Sequence, residues 1–239
     1  MIYGIHPVME AIQSEKSIDK IFIQKGLQSK SSSVLLNLIK EKNISYKLVP
    51  VEKLRKFTKE NHQGVIAFIS PISFHQLDKL LQNLPDNKAF VFVLLDGITD
   101  TRNFGAIIRT AAAMEATGII ISENNSAPVN EDVVKASAGG IFKIPICKVK
   151  HLKDALFLLQ SYDIKIFSAT EKAHQAIYQA DLKQSFGLIM GSEGKGIQKS
   201  LLNLSEKIKI PISKKMDSFN VSVACGIILY ESVRQKQIG

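Results

Sequence analysis

Met190-Gly191-Ser192-Glu193-Gly194-Lys195-Gly196 reads as a loop built around a ligand. It follows Phe186-Gly187-Leu188-Ile189, an apolar run with the character of a buried parallel strand. Three glycines within six residues let the main chain approach a flat or bulky group closely, and a carboxylate, Glu193, stands among them. Open α/β sheets hold small molecules at the carboxyl ends of their strands, which is where this loop lies. Taken alone it does not name the ligand.

Outward from that loop, the rest of the chain also alternates strand and helix patterns. Ala89 to Leu95 is an almost purely apolar strand, so its sheet is expected to be covered on both faces. Arg102 to Met114 reads as a helix, Thr117 to Ile121 as a strand, and Glu131 to Ala138 as a helix ended by Gly139-Gly140. Ile144 to Val149, Ile164 to Ala169, Gly187 to Met190 and Lys207 to Ile210 read as further strands. His151 to Leu159 is an amphipathic helix. Val221 to Gln235 is the last helix, with Val223, Ile227, Ile228, Tyr230 and Val233 making a broad apolar face. The front of the chain is a smaller α/β series. Its helices are Pro7 to Ile12, a serine-led Ser31 to Lys42, and Val51 to Phe57. Its strands are Lys20 to Gln24, Tyr46 to Val49 and Gly64 to Ile69. The expected domains are 1–70 and 88–239, joined by a linker over 71–87 that holds Pro71, Pro85, Asp86 and Asn87.

A chain of 239 residues with 45% hydrophobic content has ample material for a core. Its formal charge of +9 makes nucleic acid the first partner to consider, because phosphate neutralisation drives such binding. Residues 1–85 carry 12 Lys+Arg against 7 Asp+Glu, and residues 86–239 carry 19 against 15, so the front segment is the more basic per residue. Lys47, Lys53, Arg55, Lys56 and Lys59 cluster there, either as a solvated face or as an RNA contact. Cys147 and Cys225, far apart and outside any CxxC, fit neither a disulfide framework nor a zinc ribbon. The five histidines lack metal-ligand spacing, and no metal is expected. No signal peptide or membrane span is read, and the expected location is the cytoplasm. Gly194-Lys195 is not a phosphate-binding P-loop, because Ile189 stands where its first glycine belongs and Gly196 replaces Ser or Thr. No GxGxxG or GxSxG motif is placed to bind a dinucleotide or act as a nucleophile.

Two further blocks sit at strand ends. Asp96-Gly97-Ile98-Thr99-Asp100-Thr101-Arg102-Asn103-Phe104-Gly105-Ala106-Ile107-Ile108-Arg109 leads from a buried strand into a helix. Asn103 and Arg109 are expected on neighbouring parts of one helix face, with Arg109 emerging near a buried surface where it needs an anion. Helix capping is the plain alternative for Asn103. Ile210-Pro211-Ile212-Ser213 and Ser218-Phe219-Asn220-Val221-Ser222-Val223-Ala224 close the last strand and open the last helix. Ser218 or Asn220 can cap that helix, and two polar residues buried among Val221, Val223 and Ala224 need partners, for which a ligand or a facing subunit is the expected source.

Together the three blocks resemble the three motifs of the SpoU (TrmH-type) family of RNA ribose 2′-O-methyltransferases. The resemblance covers about Val91 to Arg234. Tyr3-Gly4-Ile5-His6-Pro7-Val8 and His62-Gln63-Gly64-Val65 are similar to the small ribosomal-protein-like RNA-binding domain of the RlmB subgroup, which modifies a guanosine of 23S rRNA. The resemblance implies an α/β SPOUT-type parallel sheet with a C-terminal trefoil knot, S-adenosyl-L-methionine as cofactor, and a homodimer acting on RNA, rRNA above all. By motif match, Gly191, Ile210 and Phe219 contact the cofactor, with Thr170 a further candidate. Asn103, Arg109, Glu193 and Asn220 match the catalytic positions. Two departures stand out. Phe219 replaces a usual Leu, and Lys214-Lys215-Met216-Asp217 replaces a smaller, less charged stretch.

Methyl transfer to a ribose hydroxyl needs alignment, loss of a proton and exclusion of water. The resemblance implicates Arg109 in the proton step. A guanidinium resists deprotonation below about pH 12, so clamping a phosphate and stabilising the forming alkoxide is its other role, with Glu193 then the base. Asn103 and Asn220 orient substrate and loops. The same enzyme class directed at tRNA, and a non-catalytic RNA-binding or ribosome-assembly protein, are the competing readings.

Overall fold

Period-two alternation along one strand builds the first of two units. In a computed structural model that describes every residue except Asn87, Lys214 and Gly239, and only the backbone of Ile238, the chain divides in two. One unit comprises Met1–Ser73 with Pro128–Glu131, and the other Phe74–Ala127 with Asp132–Gly239. The elements of the first are β1 (Ile2–Tyr3), α1 (Ile5–Gln13), β2 (Ile18–Gln24), α2 (Lys30–Glu41), β3 (Tyr46–Val49), α3 (Val51–Arg55) and β4 (Val65–Ile69). Its sheet runs β1-β4-β2-β3, with β4 antiparallel to β1 and β2, and β2 parallel to β3. Ile21 and Ile23 of β2 pack with Val8 and Ile12 of α1 and with Leu35 and Ile39 of α2. Phe22, between them in sequence, points to the other face and packs with Val49, Leu54 and Ile66. The serines before α2 form a reciprocal cap. Ser32 N–H donates to Ser29 Oγ at 3.0 Å, and Ser29 N–H donates to Ser32 Oγ at 2.9 Å.

The second unit holds α4 (Leu77–Gln82), β5 (Val91–Asp96), α5 (Thr101–Ala113), β6 (Gly118–Ser122), α6 (Glu131–Ala136), β7 (Ile146–Val149), α7 (Leu152–Gln160), β8 (Lys165–Ala169), β9 (Gln175–Ala176), β10 (Phe186–Gly191), α8 (Lys199–Leu202), β11 (Glu206–Lys209) and α9 (Val221–Ile238). The seven strands form one sheet in the order β7-β6-β5-β10-β8-β11-β9, every pairing parallel. All residues of β5 are buried, as an apolar strand covered on both faces requires. The order matters for function. Strand β10 lies between β5 and β8, and β8 lies between β10 and β11. The chain segments leaving the carboxyl ends of these four strands are therefore neighbours, although up to 113 positions separate those strand ends in sequence.

The structure departs from expectation at the segment 71–87. Its helix α4 buries Leu77 and Leu81 against Phe92, Leu94 and Leu156, so from Phe74 onward the segment belongs to the second unit and is anchored to its core by two leucines. The Asn87 of that segment lies outside the described residues. Helix α9 also differs. Cys225, Ile228 and Leu229 face inward, whereas Val223 and Tyr230 are 49% and 59% exposed. Both cysteines are free and buried, and burial pushes each thiol up to about 12, with the Asp78 charge adding to the effect at Cys147. No helix among the described residues is long and apolar enough to cross a membrane. Among the same residues no group of three or more His, Cys, Asp or Glu is placed to hold a metal ion.

Candidate active site

The site begins where β5 and β10 end together, Asp96 being paired in register with Gly191. Asp96 is 3% exposed, and a buried carboxylate needs donors. It accepts hydrogen bonds from the backbone N–H of Gln198 at 2.7 Å and from Gln198 Nε2 at 2.6 Å. These bonds pin the far end of the glycine loop to the strand beside its near end. Between the pinned ends the loop folds back tightly. A Cβ on Gly191 would lie 2.4 Å from the carbonyl carbon of Gly196 and 2.5 Å from the nitrogen of Ile197, so only glycine fits there. Gly196 N–H donates to the carbonyl of Ser192 at 2.8 Å, and Gly196 itself has φ +66°.

This loop forms one wall of a cavity of about 410 Å³. The other walls come from Ala169 and Thr170 at the end of β8, from Ile210 and Ile212 after β11, and from Ser218 and Phe219 before α9. Gly191, Thr170, Ile210 and Phe219, the four positions expected to meet the cofactor, all line it. Phe219 is 38% exposed, so its ring forms part of the cavity's rim. The substituted stretch before it begins with Lys214, which lies outside the described residues. Asp217, its last residue, is on the cavity wall.

Beside the cavity lies a network of side chains whose directions are fixed by a single backbone group. The N–H of Ser222 can only donate, and it donates to Asn220 Oδ1 at 2.9 Å, which caps α9. The amide of Asn220 must then direct its Nδ2 outward. It donates to Asn103 Oδ1 at 2.9 Å and to Glu193 Oε1 at 2.7 Å. Asn103, with its oxygen so engaged, donates Nδ2 to Glu193 Oε1 at 3.1 Å. Asn103 is free for this because the cap of α5 is Asp100, whose Oδ1 accepts from the N–H groups of Arg102 and Asn103, both at 2.8 Å. Three of the expected catalytic residues therefore converge, and Glu193 belongs to both cavity and network.

Two expectations fail. Asn220 is exposed and finds its partners within the same chain. Arg109 does not share the face of Asn103. Six residues of α-helix advance about 9 Å and rotate the side chain by about 120°. The buried stripe of α5 is Phe104, Gly105, Ile107, Ile108 and Ala111, which leaves Arg109 on the exposed stripe with Arg102 and Ala113. It enters no ion pair among the described residues and lines no part of the cavity. A glycine of the following segment lies against its backbone, a Cβ on Gly140 falling 3.2 Å from the Arg109 Cα. The clamp of Asp96 on Gln198 was not read from the sequence, although a carboxylate ending an otherwise apolar strand was a signal for it.

Comparison with known proteins bears on this geometry. Residues 90–230 match the model of the SpoU rRNA Methylase family. The chain belongs to that family, and its members are RNA methyltransferases. Residues 1–75 match a second family model, RNA 2′-O ribose methyltransferase substrate binding. The 23S rRNA (guanosine-2′-O-)-methyltransferase RlmB of Pseudomonas putida is 33% identical over 242 residues, 99% of this chain and 97% of that protein. Among solved structures, the SpoU methyltransferase AviRb of Streptomyces viridochromogenes in complex with AdoMet superposes with a TM-score of 0.65 at 23% identity, covering 100% of this chain and 90% of that one. The TrmH/SpoU tRNA modifying enzyme of A. aeolicus has a TM-score of 0.57 at 26% identity, covering 68% of this chain and 83% of that one. The SpoU fold thus accounts for the parallel sheet and for the placing of the three sequence blocks at neighbouring strand ends.

Proposed function

We propose that this SpoU-family chain is an S-adenosyl-L-methionine-dependent ribose 2′-O-methyltransferase acting on a guanosine of 23S rRNA. The observation that carries the reading is the double membership of Glu193, which lines the cavity and receives both amide donors of the network. The cavity suits the cofactor in size and chemistry. Small-molecule sites span about 300–1,000 Å³ and are mainly apolar with a few placed polar groups. Here Ile210, Ile212 and the Phe219 ring offer apolar contact, and the glycine loop offers main-chain polar groups without side-chain bulk. Gly191, Thr170, Ile210 and Phe219 would hold the cofactor, which when bound supplies an electrophilic methyl group.

The chain's own residues then position the RNA ribose and manage its proton. Asn103 and Asn220 hold the Glu193 carboxylate in one orientation at the cavity rim. Arg109, exposed on α5 and off the cavity wall, is available to an RNA phosphate. A homodimer is part of the proposal. The outward-facing Val223 and Tyr230 of α9 are apolar surface that a second copy would cover. The C-terminal trefoil knot is a further part. It is supported by the loop after β10 sharing one cavity wall with Ile210 and Ile212 after β11 and Phe219 before α9. The rRNA target and a cytoplasmic location are favoured by similarity to the Pseudomonas enzyme along nearly the whole chain, front unit included.

The test is to incubate the protein with labelled S-adenosylmethionine and, separately, 23S rRNA and tRNA, and to map ribose methylation. Label is expected in 23S rRNA at a guanosine, and label in tRNA alone would redirect the substrate. Arg109→Ala is expected to abolish transfer while leaving cofactor affinity near normal. Comparable turnover in that variant would remove Arg109 from the chemistry.

A further inference from the structure

The motif His62-Gln63-Gly64-Val65 has no part in the methyl-transfer site. It lies in the first unit, and its His62, Gln63 and Gly64 line a second cleft, of about 620 Å³. The cleft is lined by Gln24, Val51 and Arg55, and by the loop from Thr58 to Gly64. Its turn is held in an unusual backbone conformation. Gln63 and Gly64 are both left-handed, at φ +49° and +77°, and a non-glycine residue there costs about 1 kcal/mol or more. The surroundings enforce it. Gln63 Oε1 accepts from the N–H of Ile5 at 3.2 Å, Gln24 N–H donates to the Gly64 carbonyl at 2.8 Å, and Gly4 N–H donates to the Val65 carbonyl at 3.0 Å.

Two consequences bear on ligand chemistry. His62 Nδ1 accepts from the N–H of Gly64 at 3.0 Å, so a ring proton resides on Nε2 and the ring offers a donor of fixed direction. Arg55 and Lys59 supply two cations, against Glu60 as the only acid on the lining, and neither cation enters an ion pair among the described residues. The helix carrying Arg55 is anchored. Phe57 stacks on Phe22 with centroids 5.2 Å apart and meets Phe68 edge-on at 5.3 Å, while Lys53 Nζ lies 5.5 Å from the centre of the Phe22 ring. A rigid, cationic cleft with hydrogen-bonding groups on its lining suits a nucleotide unstacked from its strand. Sequence-selective RNA recognition takes bases in that state.

We propose that this cleft binds one unpaired nucleotide of the RNA substrate, its flanking phosphates on Arg55 and Lys59 and its base edge at His62 and Asn61. The proposal rests on the reading of the chain as an RNA methyltransferase and names where the front unit grips that RNA. The test uses the full chain and a fluorescein-labelled 12-nucleotide single-stranded RNA of mixed sequence, followed by anisotropy over a salt series. Each lost phosphate contact lowers the salt slope by about 0.7 for single strands, so Arg55→Gln with Lys59→Gln is expected to lower it by about 1.4 and affinity by about 25-fold at 0.1 M salt. Lys40→Gln with Lys42→Gln removes the same charge from exposed positions at the end of α2 and is expected to cost less than about 3-fold. His62→Ala is expected to weaken binding about 5-fold with no change in salt slope, since it removes a neutral donor. Equal losses from the two cation pairs, or unchanged affinity in the first, overturn the proposal, and the second of these results leaves the cleft to a protein partner. Methyl transfer by the wild-type chain is scored separately, so failure of the enzyme reading and failure of the cleft are told apart.

Discussion

The cavity and the network beside it share Glu193 but are made of different materials. The cavity is made largely of main chain, glycine and aliphatic surface, and its shape is set by how closely the Gly191 and Gly196 backbones approach. The network is made of side-chain amides and one carboxylate, and its shape is set by hydrogen-bond direction. The first is intolerant of added volume at Gly191. The second tolerates isosteric exchange and responds to the loss of a donor. Substitutions that act on one and spare the other separate cofactor binding from the handling of the ribose.

The largest effect is expected from Gly191→Ala. The new methyl would overlap the Gly196 carbonyl carbon and the Ile197 nitrogen, both backbone atoms that cannot rotate away. The loop must open, and cofactor affinity, measured by calorimetry, is expected to fall at least about 100-fold, which is close to 3 kcal/mol. A variant that binds normally would show that the loop relaxes without changing the cavity wall. Asp96→Asn acts on the same loop from its pinned end and is expected to be milder. One of the two Gln198 donors keeps an acceptor, and the charge that strengthened both bonds is gone, so a loss of about 1–3 kcal/mol in unfolding free energy is expected by denaturant titration.

On the network side the strongest effect is expected from Asn220→Ala, which removes the α9 cap and two donors at once. Loss of the cap is expected to cost about 0.5–2 kcal/mol of stability. Asn220→Ser keeps a capping oxygen and cannot reach as the amide does, so it is expected to restore most of the melting temperature and little of the turnover. Equal recovery of both would reduce Asn220 to a cap.

The sequence made much of this legible, and its failures share a physical cause. Local pattern placed β3 at Tyr46–Val49 and put α5 and α9 within a few residues of their ends, because periodicity is a property of neighbours. It also singled out the three blocks that meet. It did not show that β10 lies between β5 and β8, which brings those blocks together, because strand order depends on long-range pairing. The two-residue strands β1 and β9 and the single turn α8 are too short to carry a period. Arg109 was placed by counting turns along the helix, whereas its direction is set by rotation around it.

The smallest effect, and the sharpest for mechanism, is expected from Glu193→Gln. Both amide donors converge on a single oxygen, Oε1, and a glutamine presents an oxygen of the same kind at the same reach. Geometry is therefore retained, while the acceptor becomes neutral and its bonds weaken. The side chain is exposed, which further limits the cost, and stability is expected to change by less than about 1 kcal/mol. If the carboxylate serves to hold the two asparagines in register, kcat is expected to fall less than about 10-fold and the acid limb of the pH–rate profile to persist. If Glu193 takes the ribose proton, kcat drops by about 100-fold or more, in the range attributed to general bases, and that limb disappears. The first outcome leaves the proton to the surroundings of Arg109 and makes the network a positioning device. The second makes the residue shared by cavity and network the base itself, and the division between the two regions would then run through its carboxylate.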